Sequence, residues 1–225
     1  MKRFLFALAT STAVLTLTPA AQAVTINPGS TGLTFDTFDP ATQGSILAST
    51  TASGNALTFS SVLRSAVYRN TSGTLDFYYQ VARTGAGPSG DNQIDAFTAA
   101  NFTGFTVEGF VSALDPDGAG FFTAVNNPGG STTRTGRSAS GAVLQTFFAP
   151  NGLTGTENSA TYIFRTNATL FQQGTFGILD GSSAQGFAFA PAVPEPATWG
   201  MMLLGFGLVG SAIRRRPRAR VDFAV

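Results

Sequence analysis

Through the middle of the chain, apolar and polar residues alternate with a period of two. Leu75, Phe77, Tyr79 and Val81 fall on one face of an extended segment, and Thr74, Asp76, Tyr78 and Gln80 on the other. That alternation is the mark of a β-strand with one buried face. Phe105, Val107, Gly109 and Val111 repeat it, with Thr106 and Glu108 facing away. Further strands are predicted within 33–38, 56–69, 143–148 and 160–169. Turn signals separate them: Asn70-Thr71-Ser72-Gly73, the stretch 85–92, Asp115-Pro116-Asp117-Gly118, the stretch 126–130, Asn151-Gly152 and Asp180-Gly181. No helical period persists over ten residues, although Gln93 to Ala100 could wind into one turn or two. Many short strands with glycine punctuation predict an all-β domain: an antiparallel, jelly-roll-like β-sandwich, with a closed barrel as the alternative. An outer-membrane barrel is disfavoured, because it needs an unbroken series of roughly ten-residue strands with aromatic girdles, and the strands here are uneven.

At both ends the alternation gives way to continuous apolar runs. Lys2 and Arg3 precede an apolar stretch from Phe4 to Leu17, and Ala21-Gln22-Ala23 supplies the small-x-small element of a secretory signal peptide. The mature chain is expected to begin at Val24. Near the other end, Ala197 to Ile213 contains no charge and stops against Arg214, Arg215, Arg216, Arg218 and Arg220. A spanning helix needs about 17 to 25 apolar residues, so a single transmembrane helix is predicted over about 197–213, at the short limit of that range. The arginines would stay on the cytoplasmic side and Trp199 at the outer interface; Gly205, Gly207 and Gly210 are tolerated in lipid-embedded helices. The chain thus divides into a leader (1–23), a β-domain (24–193), a C-terminal signal (194–220, with the basic cluster from 214) and a short tail (221–225).

Setting the ends aside changes the sign of the charge. The whole chain has 13 basic and 12 acidic residues, but the β-domain keeps six arginines against ten acids, a net charge of −4. The basic excess belongs to the targeting segments. No basic stripe with interleaved aromatics appears in the domain, so nucleic acid is not an expected partner. The chain has no cysteine, so no disulfide framework supports the fold, and burial of Phe, Leu, Val and Ile must do so.

Missing residues narrow the chemistry. There is no histidine or cysteine, and Lys2, the sole lysine, lies in the leader. Nucleophile systems that rely on His, Cys or Lys are excluded, as are zinc sites with His or Cys ligands. A tyrosine base at Tyr68, Tyr78, Tyr79 or Tyr162 is formally open, but their spacing singles none out. Paired carboxylates could hydrolyse a glycoside at about 5 to 10 Å separation, and the domain supplies Glu108 and Glu157 with eight aspartates, yet Asp36, Asp39, Asp76, Asp91, Asp95 and Glu108 read as solvated strand faces or loop residues and no catalytic pair stands out. Asp115 and Asp117 resemble the start of a calcium loop, but no acid follows before Glu157, so a turn is the simpler reading; Asp180-Gly181-Ser182-Ser183 is weaker still. Direct glycan binding, by stacking on Tyr78 or Tyr79 or through loop Asn and Asp, is a further expectation. The Asn70, Asn101 and Asn167 sequons carry weight only if the export pathway is of the eukaryotic type.

Pro194-Glu195-Pro196, then Trp199-Gly200, the core from Met202 to Gly207, and Arg214 to Arg216 resemble, in order, the PEP-CTERM sorting signal of Gram-negative bacteria. The extension from Pro217 to Val225 is longer than the usual abrupt basic end. The segment from Ala66 to Val81 also resembles secreted PEP-CTERM proteins of unassigned activity. The resemblance implies processing by an exosortase, a membrane transpeptidase, with the precursor held at the inner membrane and the product delivered to the cell surface or an exopolysaccharide matrix. It implies no cofactor. The expectation is an exported, non-enzymatic surface or matrix protein associated with exopolysaccharide or biofilm. A glycan-binding module is the alternative, and a carbohydrate-active enzyme using paired carboxylates the third choice.

Overall fold

Leu75, Phe77, Tyr79 and Val81 point into the interior of the protein, as their spacing requires. The computed structural model describes residues 23–126, 134–148, 151–193 and 198–214. Among the described residues the strands are β1 (Val24–Thr25), β2 (Asp36–Thr37), β3 (Ser45–Ser53), β4 (Phe59–Arg69), β5 (Leu75–Ala86), β6 (Ala96–Ala99), β7 (Val107–Ser112), β8 (Arg134–Arg137), β9 (Leu144–Phe147), β10 (Thr161–Thr166), β11 (Leu170–Asp180) and β12 (Ser182–Ala192). They form two sheets, one in the order β1-β7-β10-β5-β4-β3 and the other in the order β12-β11-β6-β9-β8. All pairings are antiparallel except the two-residue contact of β2 with β7. The pairs β8–β9, β7–β10 and β6–β11 are nested, the pattern of a long hairpin folded over between two sheets, which is how a jelly roll is built.

The sheets face each other across one aromatic core. Tyr79 of β5 meets Phe176 of β11 at a centroid distance of 5.3 Å, and Phe97 of β6 meets Tyr162 of β10 at 5.2 Å. Offset and tilted ring pairs at such distances add to the stabilisation from area burial alone. Both lateral openings are bridged by polar bonds. At one, the backbone of Phe189 in β12 donates to Ser65 Oγ (3.1 Å) and accepts from the Tyr79 hydroxyl (2.5 Å). At the other, β1 pairs with β7 while Leu33 bridges Thr135 of β8, so the N-terminal segment crosses from the first sheet to the second. Arg137 secures that crossing by donating to the carbonyls of Ile26 (2.9 Å), Phe102 (2.7 Å), Phe105 (2.9 Å) and Gly141 (3.0 Å).

Three expectations need correction. The polar face of β5 is not solvated: Asp76, Tyr78 and Gln80 are fully buried. A second, smaller cluster of Phe38, Ala66, Tyr68, Tyr78, Phe110, Phe122 and Ile163 covers the outer face of the first sheet. Asp76 is tolerated there because Arg165 lies 3.0 Å away and Asn70 donates to it at 2.7 Å, the pairing a buried charge demands. Second, Gln93 to Ala100 is not helical; Ala96–Ala99 forms β6, with Phe97 and Ala99 in the core and Thr98 outside. Third, the whole of β3, β11 and β12 lies outside the predicted strands, because Ser, Thr, Ala, Gln and Gly leave little apolar alternation there.

Arg137→Met should remove four backbone bonds at once and leave the carbonyls buried. Urea unfolding is expected to show a loss of about 3 kcal/mol or more; a loss below about 0.5 kcal/mol would contradict this role.

Candidate functional site

The carboxylates come first, because the enzymatic and calcium readings depend on them. Four of the ten in the domain are engaged structurally. Asp76 holds Arg165, Asp91 holds the buried Arg83, Asp39 accepts from Ala41 N at 3.0 Å at the head of a short 3-10 turn, and Glu157 accepts from Thr154 N at 2.7 Å. Two pairs remain. Asp95 and Asp180 lie near the tip of the β11–β12 hairpin, where burial first, and then the charge of Asp95, raises the Asp180 carboxyl. The cleft beside them is lined by Leu179, Asp180, Gly181, Ser182 and Ser183.

Asp115 and Asp117 occupy the loop after β7. Gly118 and Gly120 turn it through φ of +65° and +83°, a region glycine enters freely. Asp117 Oδ1 accepts from Ala119 N (3.0 Å), Asp115 Oδ2 accepts from Gly120 N (2.6 Å), and Asp117 Oδ2 takes the Tyr68 hydroxyl. The carboxylates therefore pin the loop over the outer face of the first sheet, next to Tyr68 and Phe122. Among the described residues, no group of three or more His, Cys, Asp or Glu is placed to hold a metal ion. Burial raises the Asp115 carboxyl, and the adjacent Asp117 raises it further. Burial also acts upward on Asp117, but the Tyr68 hydroxyl, the Ala119 amide and Asp115 outweigh it and hold Asp117 low. Asp115 Oδ1 is buried and accepts no hydrogen bond, so a proton on Asp115 relieves it.

The signs follow by linkage. A carboxyl raised by folding stabilises the protein as pH falls through its folded value; a lowered one stabilises above the unfolded value, near 3.9, and that contribution is lost as pH falls through the folded one. The loop is therefore firmest between the raised Asp115 value and the lowered Asp117 value. Asp115→Asn should flatten the rise in melting temperature as pH falls from neutrality toward the usual carboxylate range. An unaltered pH profile would contradict a raised Asp115 carboxyl.

The tyrosines are not available as a sugar platform. Tyr68, Tyr78, Tyr79 and Tyr162 are at most 2% exposed, and Tyr78 and Tyr79 lie within the two cores. This corrects the expectation placed on them. Free surface is found instead on the outer face of the second sheet, bordered by two clefts. One includes Gly136, Gln145 and Phe147, and the other Thr175, Gln185 and Phe187.

The described part of the C-terminal helix α1 (Thr198–Arg214) takes in residues 198–213 of the predicted span, and Ala197 lies outside the described residues. Met201, Leu203, Leu204, Phe206, Leu208, Val209 and Ile213 are each 57 to 70% exposed. Apolar residues thus surround the helix without a partner among the described residues, where a surface helix would bury one face. Among the described residues, no helix is long and apolar enough to cross a membrane; α1 has 17 residues. Ala23 is half-buried beside the outer cluster. Ala21, Pro194, Glu195, Pro196, Arg215 and Arg216 lie outside the described residues, as do the rest of the leader and the tail from 217.

Residues 192–216 match the family model for the PEP-CTERM protein-sorting motif. No curated protein and no solved structure matches the chain. The matched stretch starts at the last residue of β12 and takes in all of α1. The chain therefore carries a PEP-CTERM protein-sorting motif, as exosortase substrates do.

Proposed function

We propose that this protein is an exported, non-enzymatic component of the cell surface or extracellular matrix of a Gram-negative bacterium, released from the inner membrane by an exosortase and associated there with exopolysaccharide. The sorting motif implies secretion and processing. The observation that carries the reading is where the folded domain starts and stops. The first ladder residue is Val24, immediately after the Ala21-Gln22-Ala23 element, and the last is Ala192, just before Pro194-Glu195-Pro196. Cuts at both elements leave every described strand in place.

In this reading α1 is a temporary anchor. Its 17 residues extend about 25 Å at 1.5 Å per residue, somewhat less than a hydrocarbon core of about 30 Å. Arginine side chains at its end can snorkel to the headgroups and make up part of the difference. A marginal anchor retains the precursor until it is cut. The absence of His and Cys, and of Lys beyond the leader, together with the structural use of most acids, supports a role without catalysis.

Mass spectrometry of the protein recovered from culture should give an N-terminus at Val24 and no sequence beyond the 194–196 region. Peptides containing Arg214 on the exported form would contradict exosortase processing. Replacing Pro194, Glu195 and Pro196 together by alanine should leave the full-length precursor in the membrane fraction and lower the released form at least tenfold; undiminished release would contradict the motif's role.

A further inference from the structure

The outer face of the second sheet differs from every other surface of the domain. The first sheet's outer face is covered by its own aromatic cluster, whereas here the register lines side chains into open rows. One row crosses all five strands: Gly136, Gln145, Thr98, Gly177 and Gln185. The rows on either side of it present apolar groups, Phe147 and Leu179 on one and Phe187 on the other, at 47%, 36% and 69% exposure. Among the described residues, the side-chain amides of Gln145 and Gln185 and the hydroxyls of Thr98 and Thr175 find no hydrogen-bond partner. Gly177 keeps the middle of the row low: a Cβ there would lie 2.7 Å from Thr98 Oγ1. In these rows Arg134 is the one charged residue.

A face of this kind suits a ligand that is uncharged, extended, and apolar on its flat sides but rich in hydroxyls at its edges. We propose that it binds a neutral polysaccharide, whose sugar rings rest on Phe147 and Phe187 and whose hydroxyls bond to the row of Gln145, Thr98 and Gln185. The assignment rests on the reading that the domain works outside the cell. Amides donate and accept, as sugar hydroxyls do, and exposed aromatic rings supply apolar planes. An acidic polymer is disfavoured because Arg134 stands alone, and a protein partner would leave the unpaired amides desolvated unless each found a match. Phe147 and Phe187 stand three strands and four residues apart, about 19 Å on the diagonal from strand spacing and rise. An oligosaccharide covers that span and a monosaccharide does not.

The test is affinity electrophoresis of the full chain in a mild non-ionic detergent, through gels containing hydroxyethyl cellulose, galactomannan or dextran, with alginate as the acidic comparison. At least one neutral polymer should retard the protein and alginate should not. Phe147→Ala with Phe187→Ala should weaken retardation at least tenfold, Gln185→Ala severalfold, and Leu114→Ala, which trims an exposed apolar side chain on a loop, not at all. Thermal melts establish that each variant is folded. The proposal is overturned if all three neutral polymers leave the protein unretarded, if alginate binds as well, or if the double variant binds like the parent. Self-association lost in the double variant, without polymer binding, would assign the face to a second copy instead. Export is scored separately by fractionation. An exported protein that does not bind removes this site alone, whereas a binding protein that is never exported keeps the site and removes the extracellular setting.

Discussion

The packing of Tyr79, Phe97, Tyr162, Phe164 and Phe176 between the sheets is the constraint on which the rest depends. A secreted domain without cysteine has no covalent bracing, so buried area has to offset the entropy of ordering the chain. Aromatic rings supply much area per residue at a small cost in rotamer freedom. Tyr79 does a second thing that phenylalanine could not: its hydroxyl reaches the Phe189 carbonyl of the opposite sheet. The ring fills the interior while its polar end fixes how the sheets sit on one another.

Once that core is in place, the polar groups follow from it. The outer face of the first sheet and the N-terminal crossing both need closing, and the charged residues close them. Arg137 gathers four carbonyls from separate segments, Arg165 holds Asp76 while its guanidinium lies over the Phe110 ring, and Asp115 and Asp117 pin a loop over Tyr68. A domain with few charges has used most of them to hold itself together. The shortage of convergent chemistry has the same origin, since a carboxylate committed to a buried arginine is not free to take part in acid–base work.

How much of this was legible in the sequence varied with the signal. Strands with one apolar face, such as Leu75 to Val81 and Val107 to Val111, announced themselves through their period of two. The hairpin turns at 70–73 and 180–181 did so through glycine, with Gly73 and Gly181 at φ of +84° and +52°. Strand β3 was hidden because an edge strand of Ser, Thr and Ala buries too little to need alternation. Ala96–Ala99 misled because alanine favours helix when nothing opposes it, and tertiary pairing with β9 and β11 overrode that preference. The free face of the second sheet could not be found either. Its row joins residues from 98 to 185 that only register brings side by side, and the tyrosines that looked suited to sugars were needed inside.

The protein thus consists of a domain that satisfies itself and a helix that does not. Every described strand lies between Val24 and Ala192, while among the described residues the apolar surface of α1 has no counterpart in the sandwich. Trp199 is the sole tryptophan, so its fluorescence reports on the tail without interference from the domain. On addition of lipid vesicles to the full chain, its emission should shift to shorter wavelength and be quenched by brominated lipid, at urea concentrations where the sandwich is intact. Emission indifferent to vesicles, but changing in step with unfolding of the sandwich, would show that the helix packs on the domain and contradict the account.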